Sequence, residues 1–149
     1  MRRLLGETIA APIWPDGLHL KDFTPACASD AHALLELAYA KGGGSVPPFE
    51  AWWRALSQDS EYDPNLCFPV YQEEEKLVGF AQCWTSAFVK DLVVHPDFRK
   101  RGIGRALLLH IFQVFQRRGA RAVDLKVQPD NPSGAVRFYT SLGMLRVSD

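Results

Sequence analysis

The residues best suited to chemistry in this chain stand between Asp91 and Arg105. Arg99, Lys100, Arg101, Gly102, Ile103, Gly104 and Arg105 form an Arg-x-x-Gly-x-Gly turn with basic neighbours. Glycine has no side chain to block an approaching group. The first backbone N–H groups of a helix lack internal partners and sit at the positive end of its dipole. A helix opening at Gly104 would therefore suit an anionic phosphate at this turn. Read locally, the same residues equally describe a solvated basic turn. The pattern is neither the Gly-x-Gly-x-x-Gly dinucleotide fingerprint nor a P-loop, because no Gly-Lys-Ser/Thr follows.

Such a turn needs a strand before it and a helix after it, and the flanking residues provide both. Val89, Leu92, Val93 and Val94 are a short apolar, β-branched run, within a strand expected over about Phe88 to Val94, and His95-Pro96-Asp97 stops it. From Gly104 onward, Leu107, Leu108, Ile111, Phe112 and Phe115 recur at helical spacing, and Gly119 closes the helix. Ala122 to Gln128 alternates, with Val123, Leu125 and Val127 on one face, and reads as a strand. Asn131-Pro132 has the chemistry of a helix start, Gly143 that of its end, and Leu145 to Val147 opens a last strand.

The first half is expected to add a strand at Leu18 to Phe23 and a helix capped by Ser29 or Asp30 carrying Ala31, Leu34, Leu35 and Ala38. Gly42-Gly43-Gly44 ends that helix, and a second runs from Pro47-Pro48 through Leu56. Leu66 to Tyr71 and Leu77 to Trp84 read as a β-hairpin with an acidic tip at Glu73, Glu74 and Glu75. Residues 1–17 form an N-terminal extension with one short strand around Thr8 to Ile13, and 18–149 form one domain. Alternating strands and helices in the second half argue an α/β fold, a mixed sheet flanked by helices with the long helix crossing between parallel strands.

Composition sets limits. A chain of 149 residues with 47% hydrophobic and 23% charged residues reads as one ordinary globular domain. Lys+Arg and Asp+Glu are both 17, so no global charge draws the chain to nucleic acid or to a membrane. Cys27, Cys67 and Cys83 are odd in number and form no Cys-x-x-Cys, which fits a reducing cytoplasm. His19, His32, His95 and His110 show no i, i+4 pair, so no metal site stands at recognisable spacing.

Val94-x-Pro96-x-x-Arg99-x-x-Gly102-x-Gly104 followed by a Leu-rich helix, then Asn131 and Phe138-Tyr139-x-x-Leu142-Gly143-Met144, resembles the GNAT superfamily of acetyl-CoA-dependent N-acetyltransferases. The resemblance is specific from about Lys90 to Met144 and looser over Leu18 to Val89. It implies that the pyrophosphate of CoA lies on the Arg99 to Arg105 turn and that the backbone of Leu92, Val93 and Val94 pairs with the pantetheine arm. It further implies that Asn131 touches the cofactor and that Tyr139 protonates the departing thiolate. The interval from Asn131 to Tyr139 is one residue longer than in the commonest family version. The family also has a further strand after the Leu-Gly signature. Here that strand is missing, or the N-terminal extension or a partner subunit of a homodimer covers its place.

The reaction so implied is direct attack of a primary amine on the acetyl thioester. An alkylamine with a pKa near about 10.4 is neutral in only about one part in 2,500 at pH 7. A proton acceptor is therefore wanted. Asp91, on the strand beside the thioester, is the first candidate, against the competing reading of an outward structural acid; Glu73 to Glu75 come second, and His95 caps the turn. Whether the acceptor is a small molecule or a protein amine is not written in the sequence. Two other readings compete: a fold relative that binds CoA without catalysis, and a nucleic-acid binder using the basic residues of 99–121.

Overall fold

In the computed structural model, which describes residues 1–40, 44–73, 75–127 and 134–147, the described elements are six strands and four helices. They run β1 (Arg2–Leu4), β2 (Leu18–Leu20), α1 (Pro25–Tyr39), α2 (Phe49–Ser57), β3 (Cys67–Gln72), β4 (Leu77–Trp84), β5 (Phe88–Val94), α3 (Ile103–Arg117), β6 (Ala122–Leu125) and α4 (Ala135–Ser141). The strands make one mixed sheet in the order β1-β6-β5-β4-β3-β2. Every pairing is antiparallel except β5 with β6, whose parallel direction requires the α3 crossover.

Two apolar layers hold the sheet. Leu107, Leu108, Ile111, Phe112 and Phe115 of α3 pack on one face against Val78, Ala81, Val89, Val123 and Leu125. On the other face, Leu34 and Leu35 of α1 and Trp52 and Leu56 of α2 cover Tyr71, Phe80 and Val93. Burying one such side chain contributes about 1.5–3 kcal/mol, so helix periodicity here translates directly into which face of the sheet each helix covers.

Several boundaries differ from the sequence expectation: β2 ends at Leu20 instead of Phe23, and of the strand expected over Leu145 to Val147 only the bridge of Leu145 to Arg2 forms. Helix α1 starts at Pro25 with Thr24 as its N-cap, not at Ser29 or Asp30, because proline's fixed φ suits the first helical position. Strand β6 ends at Leu125 instead of Gln128, since its pairing with β5 covers only Phe88↔Asp124 and Val89↔Leu125. The N-terminal strand lies at Arg2–Leu4, not around Thr8 to Ile13, and pairs antiparallel with β6.

The physical reason for the last difference is where the backbone groups of residues 5–9 find partners. Gln116 donates from Nε2 to the carbonyls of Leu5 and Glu7, both at 2.8 Å, and Gln113 donates to that of Ile9 at 3.5 Å. Side chains of α3 thus replace a neighbouring strand, while Leu5 and Ile9 are buried in the main core. Residues 1–17, read as an extension, in this way lay a strand and two core side chains into the fold. Arg2 also exchanges both backbone hydrogen bonds with Leu145, at 2.7 and 2.8 Å, on the outer side of β1. Of the three arrangements weighed for the sheet beyond β6, the N-terminal segment stands there.

His110 of α3 packs edge-on against Phe68 at 5.0 Å and against the Trp14 ring at 6.4 Å. Burial, reinforced by the Arg117 charge, lowers its pKa below 6.5. The unfolded chain therefore takes up a proton more readily than the folded one, and stability that is complete above about pH 6.5 declines as pH falls below it. His110→Phe is expected to flatten this decline in urea midpoints measured from about pH 7 to about pH 5. Equal declines in the two proteins would assign the effect to other groups.

Candidate active site

Strand β5 carries a local irregularity that decides which way its side chains point. Gln82 opposes Asp91 and Cys83 opposes Val89, leaving Lys90 as the extra residue of a β-bulge. Plain alternation would put Val89, Asp91 and Val93 on one face. With the bulge, Val89 joins the α3 layer, Leu92 and Val94 pack against that layer, and Val93 joins the α1 layer. Asp91 turns toward α1, where the Tyr39 hydroxyl donates to its Oδ1 at 2.8 Å. Its side chain is only 12% exposed, with Lys90 Nζ at 3.4 Å from Oδ2. Asp91 is not an outward acid.

Beyond Val89 the two parallel strands part. Leu92, Val93 and Val94 keep their β4 partners Ala81, Phe80 and Gly79, but from Lys90 onward β5 has no β6 partner among the described residues. An edge of backbone amides and carbonyls is thus left beside the cleft, where a ligand with amide groups can pair with it.

This edge leads into the basic turn. His95 accepts a hydrogen bond from Asp97 N–H on Nδ1 at 3.1 Å, capping the short 3-10 turn Pro96–Phe98 as expected. Lys100 and Gly102 then adopt left-handed conformations, φ 63° and 91°, which bend the chain into α3. The first intrahelical hydrogen bond runs from Ala106 N–H to the Gly102 carbonyl, so the amides of Ile103, Gly104 and Arg105 precede it. A Cβ at Gly102 would meet nothing within 4 Å, and Arg99, Lys100, Arg101 and Arg105 are exposed around the turn. Ile103, 2% exposed, anchors the helix start, and a Cβ on Gly79 of β4 would lie 2.9 Å from its Cγ2. Gly79 is therefore what lets the first turn of α3 sit directly on the sheet.

Tyr139, on α4, packs beside Phe138 at 5.2 Å, and burial raises its pKa. Tyr39 has its pKa raised strongly, first by burial, then by the Asp91 charge and hydrogen bond and by the Tyr139 charge. Asp91, Tyr39 and Tyr139 accordingly share one electrostatic environment although they come from β5, α1 and α4. Tyr39 was not singled out by sequence reasoning. Its signal was its place one helical turn after Leu35, just before the glycine run. Asn131 and Glu74 lie outside the described residues. Glu73 and Glu75 stand at the β3–β4 turn, where Glu75 lines a cavity of about 260 Å³ with Asp30, Leu34 and His95.

Known proteins resemble this chain over most of its length. The model of the acetyltransferase (GNAT) family matches residues 30–144. The mycothiol acetyltransferase of Thermobispora bispora is 30% identical, over 98% of this chain and 52% of its own. A crystal structure of a GCN5-related N-acetyltransferase from Sphaerobacter thermophilus aligns with TM-score 0.79 and 29% identity, over 97% of this chain and 46% of that one. The ribosomal-protein-S18-alanine N-acetyltransferase of Escherichia coli aligns with TM-score 0.70 and 25% identity, over 88% and 79%. The chain spans about half the length of the curated relatives it matches.

A left-handed backbone costs an ordinary L-residue about 1–2 kcal/mol. Because the space around Gly102 is open, Gly102→Ala is expected to lower stability by about that amount through backbone strain alone, read as a shift in urea midpoint. A midpoint equal to that of the unaltered protein would show that the turn relaxes out of this conformation.

Proposed function

This chain belongs to the GNAT acetyltransferase family, and on that premise we propose that it moves an acetyl group from acetyl-CoA to a primary amine, by direct attack within one ternary complex. The observation that carries this reading is the departure of β5 from β6 after Val89, which opens a strand edge running straight to the uncapped amides of α3.

The residues present suit the donor. Amides of Ile103, Gly104 and Arg105, with the open space over Gly102, suit a diphosphate, and Arg99, Lys100, Arg101 and Arg105 add positive charge around it. The edge of Leu92, Val93 and Val94 on the side away from β4 suits the amides of a pantetheine arm. An N–H from Val93 or Val94 is the proposed donor to the oxygen that gains charge as the thioester is attacked. For Asn131 the support is the family likeness alone. Acetyl-CoA supplies an activated acyl group on a good leaving thiol.

Asp91 is the proposed proton acceptor for the amine, held in place by Tyr39. Tyr139 is the proposed proton donor to the departing sulfur. Burial raises its pKa further above about 10, so the phenol still carries its proton at neutral pH.

A covalent acetyl-cysteine route finds no support in the thiols. Burial, with the Asp63 charge, pushes Cys67 up to about 12, and burial holds Cys83 well above its ordinary value. The Cys27 thiol is raised by burial, but hydrogen bonds from Tyr71 and Thr24 outweigh this and lower its pKa. Cys27 stands twelve residues before Tyr39 on α1, about 18 Å along the helix axis from the Asp91 partner. The three free thiols suit a reducing, cytoplasmic setting.

The reading is tested by acetyl-CoA calorimetry and by release of free CoA thiol with a panel of amines that includes small alkylamines, amino acids and an alanine-initiated peptide. Tyr139→Phe is expected to lower kcat about 100-fold or more while leaving acetyl-CoA affinity within about twofold. An unchanged kcat would remove Tyr139 from the reaction. A Cβ at Gly104 would meet Phe138 Cζ at 3.5 Å and Val94 Cγ2 at 3.9 Å, which are ordinary contacts. Gly104→Ala is therefore expected to fold normally, whereas Gly104→Leu weakens acetyl-CoA binding at least about tenfold by filling the diphosphate approach. A folded Gly104→Leu protein with unaltered affinity would contradict that placement.

A further inference from the structure

On the sheet face covered by α1 and α2, register sets Cys67 of β3, Gln82 of β4 and Asp91 of β5 side by side in one row. Directly opposed residues of antiparallel strands hold their Cβ atoms about 4.5–5.5 Å apart, within reach of a glutamine side chain. Gln82 is 1% exposed. Its Nε2 donates to the Cys83 carbonyl at 3.2 Å, which fixes the orientation of the amide, because the flipped form would set oxygen against oxygen. Its Oε1 is buried and accepts no hydrogen bond among the described residues.

A buried polar atom without a partner calls for an explanation. The neighbours of Gln82 offer no hydrogen in the resting arrangement. The Cys67 thiol donates to the Asp63 carbonyl at 3.7 Å. Asp91, when ionised, is an acceptor only; the Tyr39 hydroxyl supplies Oδ1 and Lys90 Nζ stands by Oδ2. Tyr62 beside Cys67, Tyr139 on α4 and Cys83 on β4 are further ionisable groups electrostatically linked to this cluster, and among the described residues no hydrogen bond joins any of them to Gln82 Oε1.

We propose that Gln82 is a positioning residue for proton uptake at Asp91, its unpartnered Oε1 accepting the carboxyl O–H once Asp91 has taken a proton. The role in turnover rests on the transfer proposed above. In that step an N–H bond of the acceptor ammonium breaks, an O–H bond forms on Asp91 Oδ2, and the nitrogen keeps the electron pair with which it attacks. Tyr39 continues to hold Oδ1 and Lys90 Nζ donates to Oδ2, so the proton takes the second lone pair of Oδ2. Gln82 meets that O–H from the row beside it, and the orphan acceptor of the resting protein becomes satisfied in the protonated one.

Stability in two backgrounds tests the pair without any substrate. Gln82→Met keeps the side-chain length and removes the acceptor, together with the amide N–H that the Cys83 carbonyl accepts, a loss common to both backgrounds. Asp91→Asn puts amide hydrogens where the protonated carboxyl would carry its own, and leaves an oxygen for Tyr39. Gln82→Met is expected to lower the urea midpoint more in the Asp91→Asn background, where the hydrogen bond to Oε1 is also lost, than in the otherwise unaltered protein, where an orphan is lost. Equal shifts in the two backgrounds would overturn the proposal, and Gln82→Leu gives a second series should the methionine variant fold poorly. With the fastest amine of the panel, Gln82→Met is expected to lower kcat about tenfold at unchanged KM for acetyl-CoA, the loss of one hydrogen bond. An unchanged kcat would overturn the catalytic part. A protein that turns over no amine but shows the unequal shifts would instead refute the transfer reading and leave the Gln82–Asp91 coupling standing.

Discussion

Among the described residues two rungs of parallel pairing join β5 to β6, and packing on both faces fixes β5 where it runs on beyond them. A sheet left to itself closes its ladders, because unpaired backbone groups away from water are costly. Here the separation is imposed from both faces. The α3 layer seats Ile103 and Leu107 against Gly79, at the far end of β5's ladder with β4, while Tyr39 at the end of α1 fastens Asp91 from the opposite side. The open edge is thus a product of close packing around it.

The half of the sheet beyond the split would be thin without help, since β6 has four residues and β1 three. It is secured by means other than ladder length. Arg2 forms a two-point ion pair with Asp124, at 2.7 and 3.0 Å, across the β1–β6 pairing. The glutamines of α3 tie down the chain that follows β1, and Leu5 and Ile9 enter the same core as Leu107 and Phe112. One helix therefore supports both sides of the cleft. Its first turn faces the candidate diphosphate site, and its last two turns hold the N-terminal segment.

Legibility in the sequence followed the range of the interactions. Strand Phe88–Val94 and the body of α3 were readable, because apolar spacing is a local signal and both elements are buried in the manner it implies. The turn between them was readable because glycine is specific about backbone conformation. Strand β1 was not, since its partner Asp124 is 122 residues away and nothing in Met1 to Leu5 alternates. The Tyr39–Asp91 bond, 52 residues apart, was hidden for the same reason. The direction of Asp91 was hidden for a different one. A bulge reverses the parity of every residue after it, so a strand read by simple alternation turns Asp91 to the wrong face.

Local rules are broken in one stretch of this molecule more than in others, from Gln82 to Gly102. It holds a buried acceptor without a donor, a bulge, a strand edge without a partner and a non-glycine residue, Lys100, in the left-handed region. Each is unfavourable taken alone, and strain of this kind persists only where the surroundings over-determine it. The surroundings do so here: Phe80, Ile103, Leu107 and Phe112 are each at most 2% exposed and enclose the stretch from both layers. Two of these features, the orphan acceptor and the strand edge, leave hydrogen-bonding capacity unspent around one cleft. A ligand bringing amides to the β5 edge and negative charge to the start of α3 would therefore satisfy groups that the fold leaves open. Its binding would stabilise the native state in proportion to its affinity.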